Sequence, residues 1–160
     1  MLSRRQMLLA GSALSLAGIA FRASRAEAAS FAVTRREEEW RAILTPGQFD
    51  VLRNHGTEYP GSSPLLKELR DGVFACAGCG QDLFSSETKY DSGTGWPSFW
   101  APLKGAVITS QDNSLGMARI EVLCARCGGH LGHVFKDGPQ PTGLRYCMNG
   151  IAMTFRPTAS

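Results

Sequence analysis

Five cysteines carry the chemistry this sequence offers. Four of them repeat one device: Cys76-Ala-Gly-Cys79-Gly80 and Cys124-Ala-Arg-Cys127-Gly128. A two-residue gap lets both sulfurs of a pair reach one metal from a tight turn, and the following glycine relieves that turn. Two such pairs complete a four-sulfur site that suits zinc. Four protein ligands leave no open coordination position, so such a zinc would be structural. Two other readings are chemically open. An oxidising compartment permits two disulfides. A Cys-x-x-Cys pair can also be a redox dithiol, although neither pair here opens a helix in a strand–helix unit.

The fifth cysteine, Cys147 in "LRYCMNG", has no partner in sequence. A lone thiol commonly serves as a small buried apolar residue. Its neighbours suggest chemistry instead. Arg145 and Asn149 flank it two residues away on either side, so a continuing strand puts all three on one face. A guanidinium favours the nucleophilic thiolate, and an amide can orient a bound polar group. Upstream, "GGHLGHVFKDGP" holds His130 and His133, whose spacing suits a loop that projects both rings toward one site. Asp137 either orients a ring or Arg145, or simply makes an Asp-Gly turn. The segment "YDSGTGWPSFW" brings Trp96 close to Phe99, as a core cluster or as a pocket for something small and apolar.

These residues need elements to position them. Thr34 with Glu37 reads as a capping box, followed by Trp40, Ile43 and Leu44 on one helical face. Thr45, Pro46 and Gln48 repeat the signal, with Gly56 as the stop. Ser63 and Pro64 open a third short helix. Beyond Asp71-Gly72 glycine becomes frequent and the apolar period moves toward two. "GVFACAGC" reads as a strand entering a turn. In "MARIEVLC" the alternation points Ile120 and Val122 at a core. Asn149-Gly150 between "LRYCM" and "IAMTF" reads as a hairpin. Short strands with frequent turns favour a twisted antiparallel sheet or a small barrel.

The N-terminus has a different texture. Arg4-Arg5 precede an uncharged run from Met7 to Phe21, and small residues follow around Ala26 to Ala29. The run is short for a bilayer span, which needs ~20 residues. The paired arginines resemble the signal for exporting folded proteins. The reading is therefore a cleavable export signal over residues 1–29, a periplasmic location, and a single domain over 30–160. A retained N-terminal anchor is the alternative. The chain has 17 Lys and Arg against 14 acids, but the first 28 residues hold four arginines and one acid. The remainder is balanced, which argues against a nucleic-acid partner.

The stretches "NHGTEYPGSSPLL", "DGVFACAGCGQDLFSSETKYDSGTGWPSF", "RIEVLCARCGGHLGHVFKDGPQPTGLRYCMNG" and "MTF" together resemble methionine sulfoxide reductases of the B type, from about Glu37 to Arg156. The resemblance implies a mainly β fold: two twisted antiparallel sheets in a barrel-like arrangement, short N-terminal helices packed outside, and a structural zinc on Cys76, Cys79, Cys124 and Cys127. It implies reduction of the R epimer of methionine sulfoxide in proteins, with electrons from a thioredoxin-like donor. Cys147 would be the nucleophile. His130, His133 and Asn149 would bind and help protonate the sulfoxide oxygen, supported by Arg145 and Asp137. Trp96 would pack on the substrate methyl group, with Phe99 beside it. Many relatives have a second, resolving cysteine where this chain has Thr94, so Cys147 is expected to work alone against an external thiol. Two rival functions remain open: a zinc-ribbon binding module without catalysis, and a thiol–disulfide oxidoreductase working through a Cys-x-x-Cys pair.

Overall fold

The computed structural model describes residues 31–158; the export signal expected over residues 1–29 lies outside the described residues. The chain opens with two helices. Helix α1 (Glu37–Ile43) is capped two residues later than Thr34 implies: Arg36 is the N-cap, and its amide donates to Glu39 at 2.8 Å. Trp40 and Leu44 are buried, but Ile43 is 53 % exposed, so only part of the expected apolar face is used. Helix α2 (Pro46–Asn54) follows its sequence signals. The Thr45 hydroxyl accepts from the Gln48 amide, the Gln48 side chain accepts from the Thr45 amide, and Pro46 sits in the first turn. Phe49, Val51 and Leu52 are its buried face. The third helix is one 3-10 turn, Pro64–Lys67, capped by Ser63.

Nine strands form two antiparallel sheets. The smaller has the order β2-β1-β9, with β1 at Gly72–Cys76, β2 at Asp82–Ser85 and β9 at Met153–Pro157. The larger has the order β3-β4-β8-β7-β6-β5. Its strands are β3 (Lys89–Tyr90), β4 (Ser98–Phe99), β5 (Val107–Asp112), β6 (Arg119–Cys124), β7 (His130–Phe135) and β8 (Arg145–Met148). Among the described residues no ladder joins the two sheets into a closed barrel.

One core lies between the sheets. Phe74 and Phe84 are cross-strand partners in the small sheet, and both rings meet Phe99 of the large one. Phe84 stacks on Phe99 at 4.4 Å, and Phe74 meets it edge-on at 5.0 Å. Such contacts add about 0.5–1.5 kcal/mol each beyond the area they bury. The hairpin expected at Asn149-Gly150 does not form. Strands β8 and β9 belong to different sheets, and a 3-10 turn at Gly150–Ala152 carries the chain across. Ile120 shares the core-facing side of β6 with Val122, but it stands 42 % exposed where the face runs past the packed cluster.

Candidate active site

Strand register assembles the site. Cys147 on β8 pairs with His133 on β7 and with Ser98 on β4, and His133 pairs with Glu121 on β6. Directly paired residues share a face, so Ser98, Cys147, His133 and Glu121 form one row on the side of the large sheet opposite Phe99. Arg145 and Asn149 flank Cys147 at two-residue spacing, although β8 ends at Met148.

His130 and His133 sit on a strand, not on the expected loop. Three residues apart, they would face opposite sides of a regular strand. A bulge reverses this. Val122 pairs with Gly132 and Leu123 with His130, so Leu131 is one residue too many. The extra residue returns both imidazoles to one face, with ring centroids 5.4 Å apart. The bulge also demands glycine at 132, because a Cβ there would lie 2.1 Å from the Cys147 carbonyl oxygen.

Beside this row is a cavity of about 140 Å³. Its walls include Cys147, His133, Asn149 and Trp96, together with Thr57, Arg119, Phe135 and Gly132. It holds the volume of about four or five waters, the scale of a methylsulfinyl group. A larger groove of about 1040 Å³ beside Gly72 and Pro157 contains no thiol and no imidazole. Cys147 is half-buried, and the Thr94 hydroxyl lies 3.8 Å from its sulfur.

The polar wall is held by groups absent from the sequence reading. Asp112 accepts from His133 Nε2 at 2.8 Å and from Arg119 at 2.7 Å. Hydrogen bonds from Ser114 and His133 hold the Asp112 carboxyl well below the usual carboxylate range. A carboxylate only accepts, so His133 donates from Nε2. Glu58 works through its backbone. Its amide donates to Asn149 Oδ1 at 3.0 Å, and its carbonyl accepts from Trp96 Nε1 at 3.2 Å. Its carboxylate receives the amides of Gly150 and Ile151, which caps the 3-10 turn between the sheets. Burial raises the Glu58 carboxyl above its ordinary value, opposed by those two amides. Asn149 Nδ2 donates to the Leu131 carbonyl at 3.2 Å, leaving one N–H for a ligand.

Other expected site residues sit farther back. Arg145 forks onto Asp137 at 2.9 and 2.8 Å and covers the Phe135 ring at 4.4 Å, so this pair buttresses the cavity from behind. His130 is 2 % exposed and does not line the cavity. Phe99 is fully buried in the core between the sheets, away from the cavity that Trp96 lines.

The remaining four cysteines cluster outside the cavity. Cys76, Cys79, Cys124 and Cys127 place their sulfurs within 4.8 Å of one another. Cys76 lies 3.8 Å from Cys127, and Cys79 lies 3.5 Å from Cys124. A tetrahedral zinc with bonds of ~2.3 Å has sulfur–sulfur edges of about 3.8 Å, so the four side chains fit that ion. Hydrogen bonding to its neighbours, with burial adding, pushes the Cys76 thiol up, while the same contacts favour the thiolate at Cys79. Four thiolates this close need a cation among them.

A lone thiol outside a metal-fitting cluster thus meets an imidazole and an indole at one small cavity. The SelR domain model matches residues 44–157. The peptide methionine sulfoxide reductase MsrB of Agrobacterium fabrum is 52 % identical over 126 residues, covering 78 % of this chain and 93 % of that protein. That of Leptospira interrogans is 52 % identical over 128 residues, 79 % of this chain and 98 % of its own. That of Methanosarcina barkeri is 55 % identical over 126 residues, 78 % and 89 %. The chain belongs to the MsrB family. Within this family member, sequence reasoning missed Glu58, His55, Asp112 and Glu121. Glu121 left one trace: an acid inside the apolar "RIEVLC", on the side taken for solvent, is only 8 % exposed.

Proposed function

We propose that this chain reduces the R epimer of methionine sulfoxide in oxidised proteins to methionine, with Cys147 as the nucleophile. One observation carries the reading: Cys147 is the one cysteine outside the sulfur cluster, and it opens on the cavity shared by His133, Trp96 and Asn149. The Cys147 thiolate attacks the sulfoxide sulfur. The oxygen gains a proton from the imidazole wall and passes to Cys147. Methionine leaves, and Cys147 becomes a sulfenic acid. The indole of Trp96 receives the apolar end of the substrate. Thr94 stands where a resolving cysteine would be needed, and the other four thiols are committed to the cluster. An external thiol, such as that of a thioredoxin-like protein, therefore reduces the sulfenic acid through a mixed disulfide.

The four clustered cysteines would hold one structural zinc, whose role is to bind the two turns together. The family model begins at residue 44, well after the paired arginines. Arg4-Arg5 before the uncharged run from Met7 to Phe21 are what support residues 1–29 as an export signal, with the periplasm as the place of work.

The test is an assay with stereochemically pure sulfoxides and dithiothreitol. The parent should reduce the R epimer, and Cys147→Ser should lose turnover while keeping its zinc. Turnover retained by C147S, or reduction of the S epimer alone, would reject the reading.

A further inference from the structure

Behind the cavity lies a chain of groups that the catalytic reading leaves unused. Helix α2 ends at His55, a non-glycine residue in the left-handed conformation with φ 58°. That turn swings its ring over β6. His55 Nδ1 lies 2.5 Å from Glu121 Oε1, and His130 Nδ1 lies 2.6 Å from the same oxygen. The three groups grade from water to interior. The His55 side chain is 62 % exposed, that of Glu121 is 11 % exposed and that of His130 is 2 % exposed. His130 Nε2 is buried and has no partner among the described residues. A buried polar atom without a partner calls for a water or a ligand. The ring that carries it stands 5.4 Å from His133 at the cavity.

From this geometry we propose that His55 and Glu121 form, with His130, a proton relay between bulk water and the buried end of the active site. The proposal rests on the reductase reading, because it supplies the proton that reaction consumes. In the first half-reaction, Cys147 thiolate, sulfoxide and one proton give sulfenic acid and thioether. The cysteine sulfur is oxidised, the methionine sulfur is reduced, and the oxygen moves between them. His130 gives up its Nε2 proton toward the oxygen through one water. It accepts another at Nδ1 from the Glu121 carboxyl, which enters this step protonated and is then reprotonated from the solvent through His55. In the second half-reaction, sulfenic acid and two external thiols give thiolate, water, a disulfide and one proton. That proton leaves by the same route, which resets the tautomers. One proton enters and one leaves in each cycle.

Burial disfavours the charged form of His130, and the Glu121 carboxylate opposes that effect. The titratable groups facing His130 are Glu121 from β6, His55 from the end of α2, and His133 from β7. A bare buried imidazole would be hard to recharge. A carboxylate shared with a solvent-exposed imidazole removes that difficulty. His55 and Glu121 are positioning and proton-supplying groups; neither lines the substrate cavity.

The experiment is single-turnover sulfenic acid formation on the full chain with the R sulfoxide, followed by rapid quench at low buffer concentration. Positioning of His130 by Glu121 predicts that Glu121→Gln slows this step about ten- to hundredfold. His55→Asn, at an exposed position, should slow it several-fold, raise the solvent isotope effect, and recover as imidazole is added. Alkylation of Cys147 and zinc content should match the parent in H55N. Parent-like rates in both variants, or an H55N deficit that added imidazole leaves unchanged, would overturn the relay. An active parent with unaffected variants rejects the relay alone; a parent that cannot reduce the sulfoxide rejects the reductase reading and the relay with it.

Discussion

The hydroxyl of Thr94 sits 3.8 Å from the Cys147 sulfur, and Ser92 Oγ bridges it to Ser98 at 2.8 and 2.7 Å. Three hydroxyls thus line the side of the nucleophile where a thiol would close an internal disulfide. A hydroxyl cannot reduce a sulfenic acid, so the proposed mechanism calls for an external thiol. The same short distance yields a prediction. In Thr94→Cys the new thiol lies within reach of the oxidised sulfur, since closing to a bond of ~2.05 Å needs only a small shift. After one equivalent of R sulfoxide without reductant, the parent should lose one free thiol and be trapped by a sulfenic acid reagent. T94C should lose two and resist trapping. A sulfenic acid that remains trappable in T94C would show that the Thr94 loop is held away from the line of attack. The chemistry-bearing residues were readable in the sequence because their types are rare and their spacing is local. Glu58 was not readable. Its role is to give a backbone amide to Asn149 and a carbonyl to Trp96, roughly 90 and 40 positions away, and backbone contacts of long sequence separation leave no pattern of residue types.

At the scale of elements, local signals and long-range pairing separate cleanly. Helix α2 was legible because its cap, its proline and its reciprocal glutamine lie within four residues. The Asn149-Gly150 signal misled because a two-residue turn motif says nothing about which sheet receives the next strand. Here Glu58 holds that turn from outside the segment, and the Ser63 side chain packs against Gly150. The bulge at Leu131 was equally hidden, since an inserted residue shows only against its partner strand. Yet it decides that His130 and His133 face the same way. Gly132→Ala tests it. The added methyl meets the Cys147 carbonyl at 2.1 Å and Met148 Cα at 3.0 Å, both backbone atoms that cannot yield without parting β7 from β8. We expect a loss of about 1–3 kcal/mol in denaturant unfolding, with a larger proportional fall in turnover than in stability, because the displaced atoms belong to Cys147 itself. Unchanged kcat and midpoint would mean that the ladder can slide without moving the nucleophile.

Across the whole molecule, the sulfur cluster and the active site divide one scaffold. Cys76 closes β1 of the small sheet and Cys124 closes β6 of the large one, so a metal here joins the two sheets at one end. The crossover held by Glu58 joins them beside it, since Met153 pairs with Cys76 and the Ala77 amide donates to the Ala152 carbonyl at 2.9 Å. Helix α2 braces both: Arg53 donates to the Cys127 carbonyl at 3.2 Å, while the helix end presents His55 to Glu121. The Phe74–Phe84–Phe99 cluster fills the space between the sheets. Zinc binding of this kind is worth ~10–16 kcal/mol in isolated finger peptides. The present domain has its own core, so only part of that should appear as stability. Holoenzyme should contain one zinc per chain and five thiols after denaturation. Removing the metal with a strong chelator, or replacing Cys124 by Ser, should lower Tm by roughly 10–20 °C, the shift expected for a few kcal/mol in a domain of this size. Activity should fall with the folded fraction rather than ahead of it, since no ligand sulfur touches the substrate cavity. A metal-free chain showing one thiol instead of five would mean that the pairs are disulfides. Activity lost before unfolding would mean that the metal reaches the chemistry after all.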